Sequence, residues 1–161
     1  MAKQTQIKFN LNGMEKLRQQ VGDSYITRVG ILGGHAMRKS NGPMNNAEIG
    51  TIHEFGSEAA QIPPRSFLRM PIEEKRKELM SSFATSSTKA AMETGDFKKV
   101  FQNLGVRAED IVDQAFSSGG FGHWHALKQS TIDAKGSSVI LIDTSQLRRS
   151  ITSDVVRKGQ I

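Results

Sequence analysis

The sequence predicts an α+β domain in which a small mixed or antiparallel sheet packs against two longer helices. Stretches with strand character lie near both ends of the chain, and the strongest helical periodicity lies between them. A chain of 161 residues is long enough for one domain with a core and too short for two ordinary domains. Hydrophobic residues make up 37% and charged residues 24%, which is typical of a globular protein. We therefore expect a single domain over residues 1–161.

The first part of the chain predicts two strands and a short helix. Residues 7–11 alternate apolar with polar side chains, the period of a half-buried strand, and residues 14–21 follow with helical spacing. Residues 25–32 are rich in β-branched side chains and precede two glycines, so they predict a second strand closed by a turn. The segment 34–46 is rich in Gly, Asn and Pro and predicts an extended loop.

A short helix is predicted next, because Asn45 or Asn46 can cap a helix that begins near Ala47 and Gly56 can end it. Pro63 and the proline after it then fix φ and restrict the residues before them, which favours an extended segment. The side chains that follow are expected to project from this stiff segment.

Two longer helices are predicted after the prolines. Pro71 fits the first turn of a helix that runs to about Met92, with an apolar stripe at Ile72, Leu79, Met80 and Phe83. Asp96 can cap a second helix whose apolar side chains recur at three- and four-residue spacing from Phe97 to Ala115. This is the strongest periodic signal in the sequence.

The last part of the chain predicts a long loop followed by strands. Glycines and serines begin an extended loop over 117–138. Residues 139–142 have strand character, Asp143 or Thr144 can cap a short helix through Leu147, and residues 151–156 predict a final strand.

The residue types that usually carry catalysis or metal binding do not form a recognisable motif. The chain has no cysteine, and His53-Glu54 lacks the second histidine that a zinc protease needs one helical turn later. His123 and His125 flank a tryptophan but have no evident third ligand, and Gly30 begins a glycine run that lacks dinucleotide or P-loop spacing. We therefore predict a protein that is not an enzyme and needs no cofactor. A small hydrolase would require His53 or His125 to meet a serine and an acid.

The formal net charge of +6 permits attraction to nucleic acid or to acidic protein surfaces. The basic residues are spread along the chain, and no DNA-reading motif accompanies them. No apolar run is long enough for a signal peptide or a membrane span, so we expect a soluble protein made in a cytoplasm, without membrane partners.

Four separated stretches, at 54–56, 64–68, 124–132 and 141–147, share one family pattern. They are an acidic-aromatic-glycine triplet, a Pro-Arg-Ser-Phe-Leu segment before a helix, a Trp-to-Ser-Thr-Ile element, and a Leu-Ile-Asp-Thr-Ser-Gln-Leu run. Together they resemble the neck and tail-completion proteins of tailed bacteriophages, a virion-morphogenesis family. Ser145 stands where that family usually has glycine.

The resemblance implies a structural virion protein at the head–tail junction or upper tail. Its implied partners are copies of itself in a ring with an expected sixfold symmetry, neighbouring neck, head-completion or tail-tube and terminator proteins, and passing phage DNA. The long loops would serve assembly. Two alternatives stay open: a tail-terminator or minor tail protein elsewhere in the tail, and a basic accessory protein that binds nucleic acid.

Eight residues are candidates for contacts with partners: Glu54, Phe55, Arg65, Phe67, Arg69, Trp124, Arg148 and Arg149. Arginine and aromatic side chains are favoured at interface centres, and a stiff proline segment loses little entropy on docking. Phe67 can instead fill this protein's own core, and both alternatives are open. For Trp124, in the predicted loop, a contact with a neighbouring subunit is favoured over packing within the domain.

Overall fold

The computed structural model describes residues 25–38, 43–82, 86–141 and 145–159, apart from the side chains of residues 86 and 87. Within these ranges the elements are β1 Tyr25–Ile31, α1 Asn46–Phe55, α2 Arg69–Glu74, α3 Arg76–Ser81, α4 Ser86–Thr94, α5 Lys98–Ser118, α6 Gln129–Lys135, α7 Gln146–Arg149 and β2 Ile151–Arg157, with a 3-10 helix at Gly33–Ala36. The α+β class is confirmed. The predicted strand 7–11 and helix 14–21 lie outside the described residues, as do Phe83, Asp143 and Thr144.

The sheet brings together two strands from distant parts of the chain. β1 and β2 pair antiparallel, with Tyr25 opposite Arg157 and Ile31 opposite Ile151. Arg28 faces Asp154 across the ladder, and its guanidinium binds that carboxylate through two hydrogen bonds. Two of the predicted strands, 25–32 and 151–156, are therefore confirmed.

Helix α5 packs against one face of this sheet. The hydroxyl of Thr27 on β1 donates to the carbonyl of Phe101 on α5 at 2.8 Å. At Gly105 an added Cβ would lie 2.4 Å from Oγ of Ser153 on β2, so the helix and strand approach closely where the helix has no side chain. The glycine therefore sets the distance between the helix and the sheet.

The main core lies between α5, the segment before α2, and α7. Its buried side chains are Phe67, Val112, Ala115, Phe116, Trp124 and Leu147. The rings of Phe67 and Phe116 have centroids 5.4 Å apart, and the ring of Trp124 meets Phe116 edge-on at 5.7 Å. Such aromatic pairs add about 0.5–1.5 kcal/mol to the free energy gained from burial alone. The apolar residues whose periodicity predicted α5 thus form the face of the helix that packs in the core.

Helix α1 has the ends that the sequence predicts. The side chain of Asn45 accepts from the backbone N–H of Glu48, and the Glu48 carboxylate accepts from the N–H of Asn45. This reciprocal capping box fixes where the helix begins. Gly56 follows its last residue.

The first of the two predicted long helices is wrong as a single element. Lys75 leaves the helical conformation between α2 and α3, and residues 83–85 are not described before α4. The two short helices on either side of this break, α2 and α3, both contact α5. Pro71 does lie in the first turn of α2, where its missing N–H costs no helical hydrogen bond.

Three further expectations are corrected, two of them near the C-terminus. Residues 139–141 do not form a strand, and residue 142 is not described. The expected loop 117–138 contains the end of α5 and the whole of α6, which stops at Gly136 in the left-handed conformation. The expected loop 34–46 likewise begins in the 3-10 helix, and residues 39–42 are outside the described ranges.

None of the described helices is both long and apolar enough to cross a membrane.

Candidate functional site

Glu54, at the end of α1, is buried and holds the segment that leads into α2. Its carboxylate accepts hydrogen bonds from the backbone N–H groups of Phe67, Leu68 and Arg69 at 2.8, 3.0 and 3.1 Å. It also accepts from the hydroxyl of Ser66 at 2.6 Å. The side chain is only 6% exposed. Because all four bonds are internal, this residue has a structural task and does not face a partner.

Ser66 completes the N-terminus of α2. Its hydroxyl accepts from the backbone N–H of Met70 at 2.9 Å while donating to Glu54. The first N–H groups of a helix have no partner within the helix and need one from elsewhere. Here the N–H groups of four consecutive residues, 67–70, are satisfied by one carboxylate and one hydroxyl.

Arg65 is the second buried charge of this region, and it does not project from the chain. Its guanidinium donates to the backbone carbonyls of His125 and Ala126 at 2.9 and 3.1 Å. Its own backbone N–H donates to the carbonyl of His53 at 2.7 Å. Burial lowers the pKa of the Arg65 guanidinium from its usual value. The residue therefore ties the proline segment to both α1 and the chain before α6.

Trp124 belongs to the same unit, which corrects the expectation that it contacts a neighbouring subunit. It is 7% exposed, packs in the main core, and donates from Nε1 to the carbonyl of Ser66 at 2.9 Å. Phe67 is fully buried beside it, so the core alternative holds for that residue. A buried indole N–H needs an acceptor, and the Ser66 carbonyl provides it.

Gly56 allows the chain to turn from α1 towards the prolines. Its φ of +79° lies in the region that favours glycine, and an added Cβ would lie 2.9 Å from the carbonyl oxygen of Ile62. Beyond it, Ser57 and Ile62 pair through two backbone hydrogen bonds of 2.9 Å. The turn thus brings the Pro64 region back against the end of α1.

The fourth stretch reaches the main core through Leu147, which is 5% exposed and packs there with Phe67 and Trp124. Ser145, just before α7, has a φ of +60° and a ψ of +10°. This left-handed conformation favours glycine, which explains physically why a glycine would suit the position. All four stretches therefore meet around one core. We call Glu54, Arg65, Ser66, Phe67 and Trp124, with their contacts, the Glu54 cluster.

The other candidates lie at the surface. Phe55 is 68% exposed, although it belongs to the first stretch, and Arg69 and Arg149 are also exposed. Arg148 is half-buried and binds the carboxylate of Asp113 through Nε and Nη2, at 2.5 and 2.6 Å. Hydrogen bonds from Arg148 lower the pKa of Asp113. Phe55 is thus the one member of the first two stretches whose large apolar side chain faces outward.

A basic groove lies beside α1, and Glu54 is not among the residues that line it. It has a volume of about 630 Å³ and is lined by α1, the proline segment, the chain before α6, α6 itself and the start of α7. Its cationic residues are Arg38, Arg65, Lys128 and Lys135, and its apolar lining includes Ile49, Ile62, Leu127, Leu141 and Leu147. No acidic side chain lines it among the residues that the structure describes.

His53 lines the basic groove, and its Nδ1 is buried without a hydrogen-bond partner. Burial lowers the pKa of His53 below its usual 6.5, and the positive charges of Arg65 and Lys135 lower it further. The imidazole is therefore neutral at physiological pH. The neighbouring Glu54 does not line the groove, and its carboxylate accepts hydrogen bonds from Ser66 and Phe67.

The histidines of the described ranges do not meet in a metal site. His123 lies 3.3 Å from a carboxylate oxygen of Glu74, while His125 is exposed and offers its backbone carbonyl to Arg65. No group of three or more His, Asp or Glu side chains there could hold a metal ion.

Comparison with known proteins adds no relative. No protein-family model matches the chain, and neither the curated proteins nor the solved structures give a significant match.

The sequence patterns do not predict the roles of two residues, Ser66 and Asn46. A serine directly before a helix can cap it, and this is the signal that could indicate the role of Ser66. Asn46 is 3% exposed, and its amide donates to the carbonyls of His35 and Met37 while its oxygen accepts from Arg38 at 3.2 Å. Asn46 thereby places Arg38 at the edge of the basic groove.

Proposed function

We propose that this protein is a structural component of a tailed-phage virion, placed at the head–tail junction, where copies of it form a ring that joins or caps the tail. The sequence resemblance is the origin of this proposal. The observation that carries it further is the convergence of the four stretches on the Glu54 cluster, although they span residues 54–147.

The convergence matters because it accounts for the residue types as one physical unit. A carboxylate at 54 satisfies the N–H groups of 67–69, Arg65 satisfies two carbonyls, and Trp124 satisfies the Ser66 carbonyl. These contacts make residues of separate stretches depend on one another within the fold of this chain. We take this shared structural unit as support for the resemblance, and a place in the virion is the function that the resemblance favours.

Ring assembly requires surfaces that the fold does not use internally. Phe55 is the best candidate, since its exposed ring lies beside a shallow apolar surface formed by Val29, Ile31, Leu68 and Ile72. Exposed aromatic side chains beside apolar surface are typical of interfaces. We place Phe55 at the contact between neighbouring copies. Met80, 56% exposed on α3, offers a control away from the four stretches.

The proposal is tested with phage particles made with and without this gene. We expect the protein in gradient-purified virions, and we expect its loss to yield filled heads and separate tails by negative-stain electron microscopy. Complementation with the Phe55→Ser variant should restore fewer joined particles than complementation with Met80→Gln. Joined, infectious particles in the absence of the gene, or purified virions without the protein, would refute the proposal.

A nucleic-acid-binding accessory protein is the second candidate, favoured by the net charge of +6 and by exposed basic residues such as Lys98, Lys99 and Arg149. Such binding weakens steeply as salt is raised, because bound counterions are released from the phosphate backbone. Tight binding of a monomer to duplex DNA, with a steep salt dependence, would favour this candidate over the virion role.

A further inference from the structure

The basic groove combines an apolar floor with cationic residues at its edge. Ile49, Leu127 and Leu147 provide apolar lining, which we call the floor, while Arg38 follows the 3-10 helix and Lys128 directly precedes α6. Grooves of several hundred Å³ with apolar walls and a few polar groups are typical of ligand sites. The groove therefore has the character of a binding surface rather than of a packing defect.

Among the described residues, all the charged side chains that line the groove are positive. Arg65 lies beneath it and is fixed by the carbonyls of 125 and 126, so its position does not depend on a ligand. Lys135 donates to the carbonyl of Val139 at the far end, which holds its ammonium at the edge of the groove. Lys128 is exposed. An occupant that matches this field must carry negative charge.

His53 gives the groove a titratable group near two of its positive charges, Arg65 and Lys135. Its neutral imidazole lies in the groove wall, where a bound carboxylate would favour the protonated form. The residue can therefore report on occupancy without itself being needed for binding.

We propose that the basic groove binds a short acidic-aliphatic segment of a partner protein, with aliphatic side chains on the apolar floor and carboxylates towards Arg38 and Lys128. Charge complementarity selects the acidic groups, and the floor selects aliphatic ones. A nucleic-acid strand fits less well, since the floor lacks the aromatic side chains on which bases stack. This inference does not rest on the virion role, because it concerns the isolated chain.

The test uses purified protein and three labelled probes in fluorescence anisotropy: a short peptide alternating leucine with aspartate, the same peptide with asparagine for aspartate, and a short oligothymidylate. We expect saturable binding of the aspartate peptide and at least about tenfold weaker binding of the asparagine peptide, because charge-assisted hydrogen bonds are lost. In parallel, the NMR-observed pKa of His53 should rise when the aspartate peptide is bound.

Two variants that lower the net charge equally separate a local from a general effect. Arg38→Gln combined with Lys128→Gln should weaken the aspartate peptide about tenfold. Lys98→Gln combined with Lys99→Gln, at the exposed start of α5, should change the affinity less than about twofold. Ala134→Trp, at an exposed position of the groove wall, should also weaken binding by filling the groove.

The proposal is overturned if the aspartate peptide does not bind, or if the asparagine peptide binds as well. It is also overturned if the groove variant and the α5 variant behave alike while both retain the wild-type melting curve. If oligothymidylate binds more tightly than the aspartate peptide, and this binding is lost in the groove variant, the groove binds nucleic acid and the peptide proposal is wrong.

Discussion

Glu54→Gln tests the Glu54 cluster most sharply, because it removes a charge and changes little else. The amide keeps one acceptor oxygen, which is best used by the backbone N–H groups of Phe67 and Leu68, since the former is buried. The new NH₂ group then faces Ser66, whose hydroxyl can accept, and the N–H of Arg69, which loses its acceptor. Hydrogen bonds to a charged group contribute about 1.5–3 kcal/mol and neutral ones about 0.5–1.5 kcal/mol.

Two weakened bonds and one lost bond, offset partly by the relief of a buried charge, give a loss of about 2–3 kcal/mol in the free energy of unfolding. Glu54→Ala removes all four acceptor contacts and should cost about 3–5 kcal/mol. A domain of this size is stabilised by about 5–15 kcal/mol, so the alanine variant stands close to unfolding.

The assay is urea unfolding followed by tryptophan fluorescence. Trp124 is the only tryptophan of the chain and lies in the main core, so its emission reports directly on the loss of this region. Glu58→Gln, an exposed carboxylate near the same helix end, is the control and should change the free energy of unfolding by less than about 0.5 kcal/mol. A Glu54→Gln variant that unfolds within about 0.5 kcal/mol of the wild type would refute the structural role of the carboxylate.

Three further predictions concern backbone conformation and pH. Ser145→Gly should raise the free energy of unfolding by about 0.5–1 kcal/mol, because glycine adopts the left-handed conformation without strain. Ser138 does not have a positive φ, so the control Ser138→Gly should bring no gain. Equal effects of the two substitutions in thermal melts would contradict this reasoning. Gly56→Ala should lower the free energy of unfolding by about 2 kcal/mol or more, since the φ of residue 56 is positive and an alanine Cβ would meet a backbone carbonyl. An unchanged midpoint in urea unfolding would contradict the turn geometry. The lowered pKa of His53 means that the unfolded chain binds a proton at higher pH than the folded one, so the stability it contributes is complete above about pH 6.5 and is lost as the pH falls through the folded-state pKa. His53→Gln should therefore lose less stability than the wild type between about pH 7.5 and about pH 5, while exposed His125→Gln should follow the wild type; the opposite ranking would show that His53 is not the responsive group.

Elements with local signals could be predicted from the sequence. The 21 residues of α5 carry six turns' worth of apolar spacing, and α1 has a capping box at one end and a glycine at the other. Helix α6 was missed because its seven residues are too few for a clear period, although Gly136 could have been taken as its C-terminal stop. The break at Lys75 has no local signal such as a proline or a glycine, and both helices that flank it contact α5.

In the candidate site, too, local sequence patterns predicted some features and contacts between distant residues decided others. The stretches were found from the sequence, but the direction of each side chain depends on partners far along the chain. Arg65 meets carbonyls 60 and 61 residues away, and Trp124 meets a carbonyl 58 residues away. Arginine and aromatic residues suit interfaces and buried polar networks equally well, so residue type alone favoured the wrong environment for Arg65 and Trp124. Phe55 illustrates the converse, since its exposure leaves it available for assembly.

The most direct test of the proposed function is a cryo-electron microscopy map of the head–tail junction in the intact particle. We predict a ring of copies of this chain around the DNA channel, with Glu54 and Trp124 inside each copy and Phe55 at the boundary between copies. A junction fully accounted for by other proteins, with no density for this chain there, would contradict the proposal.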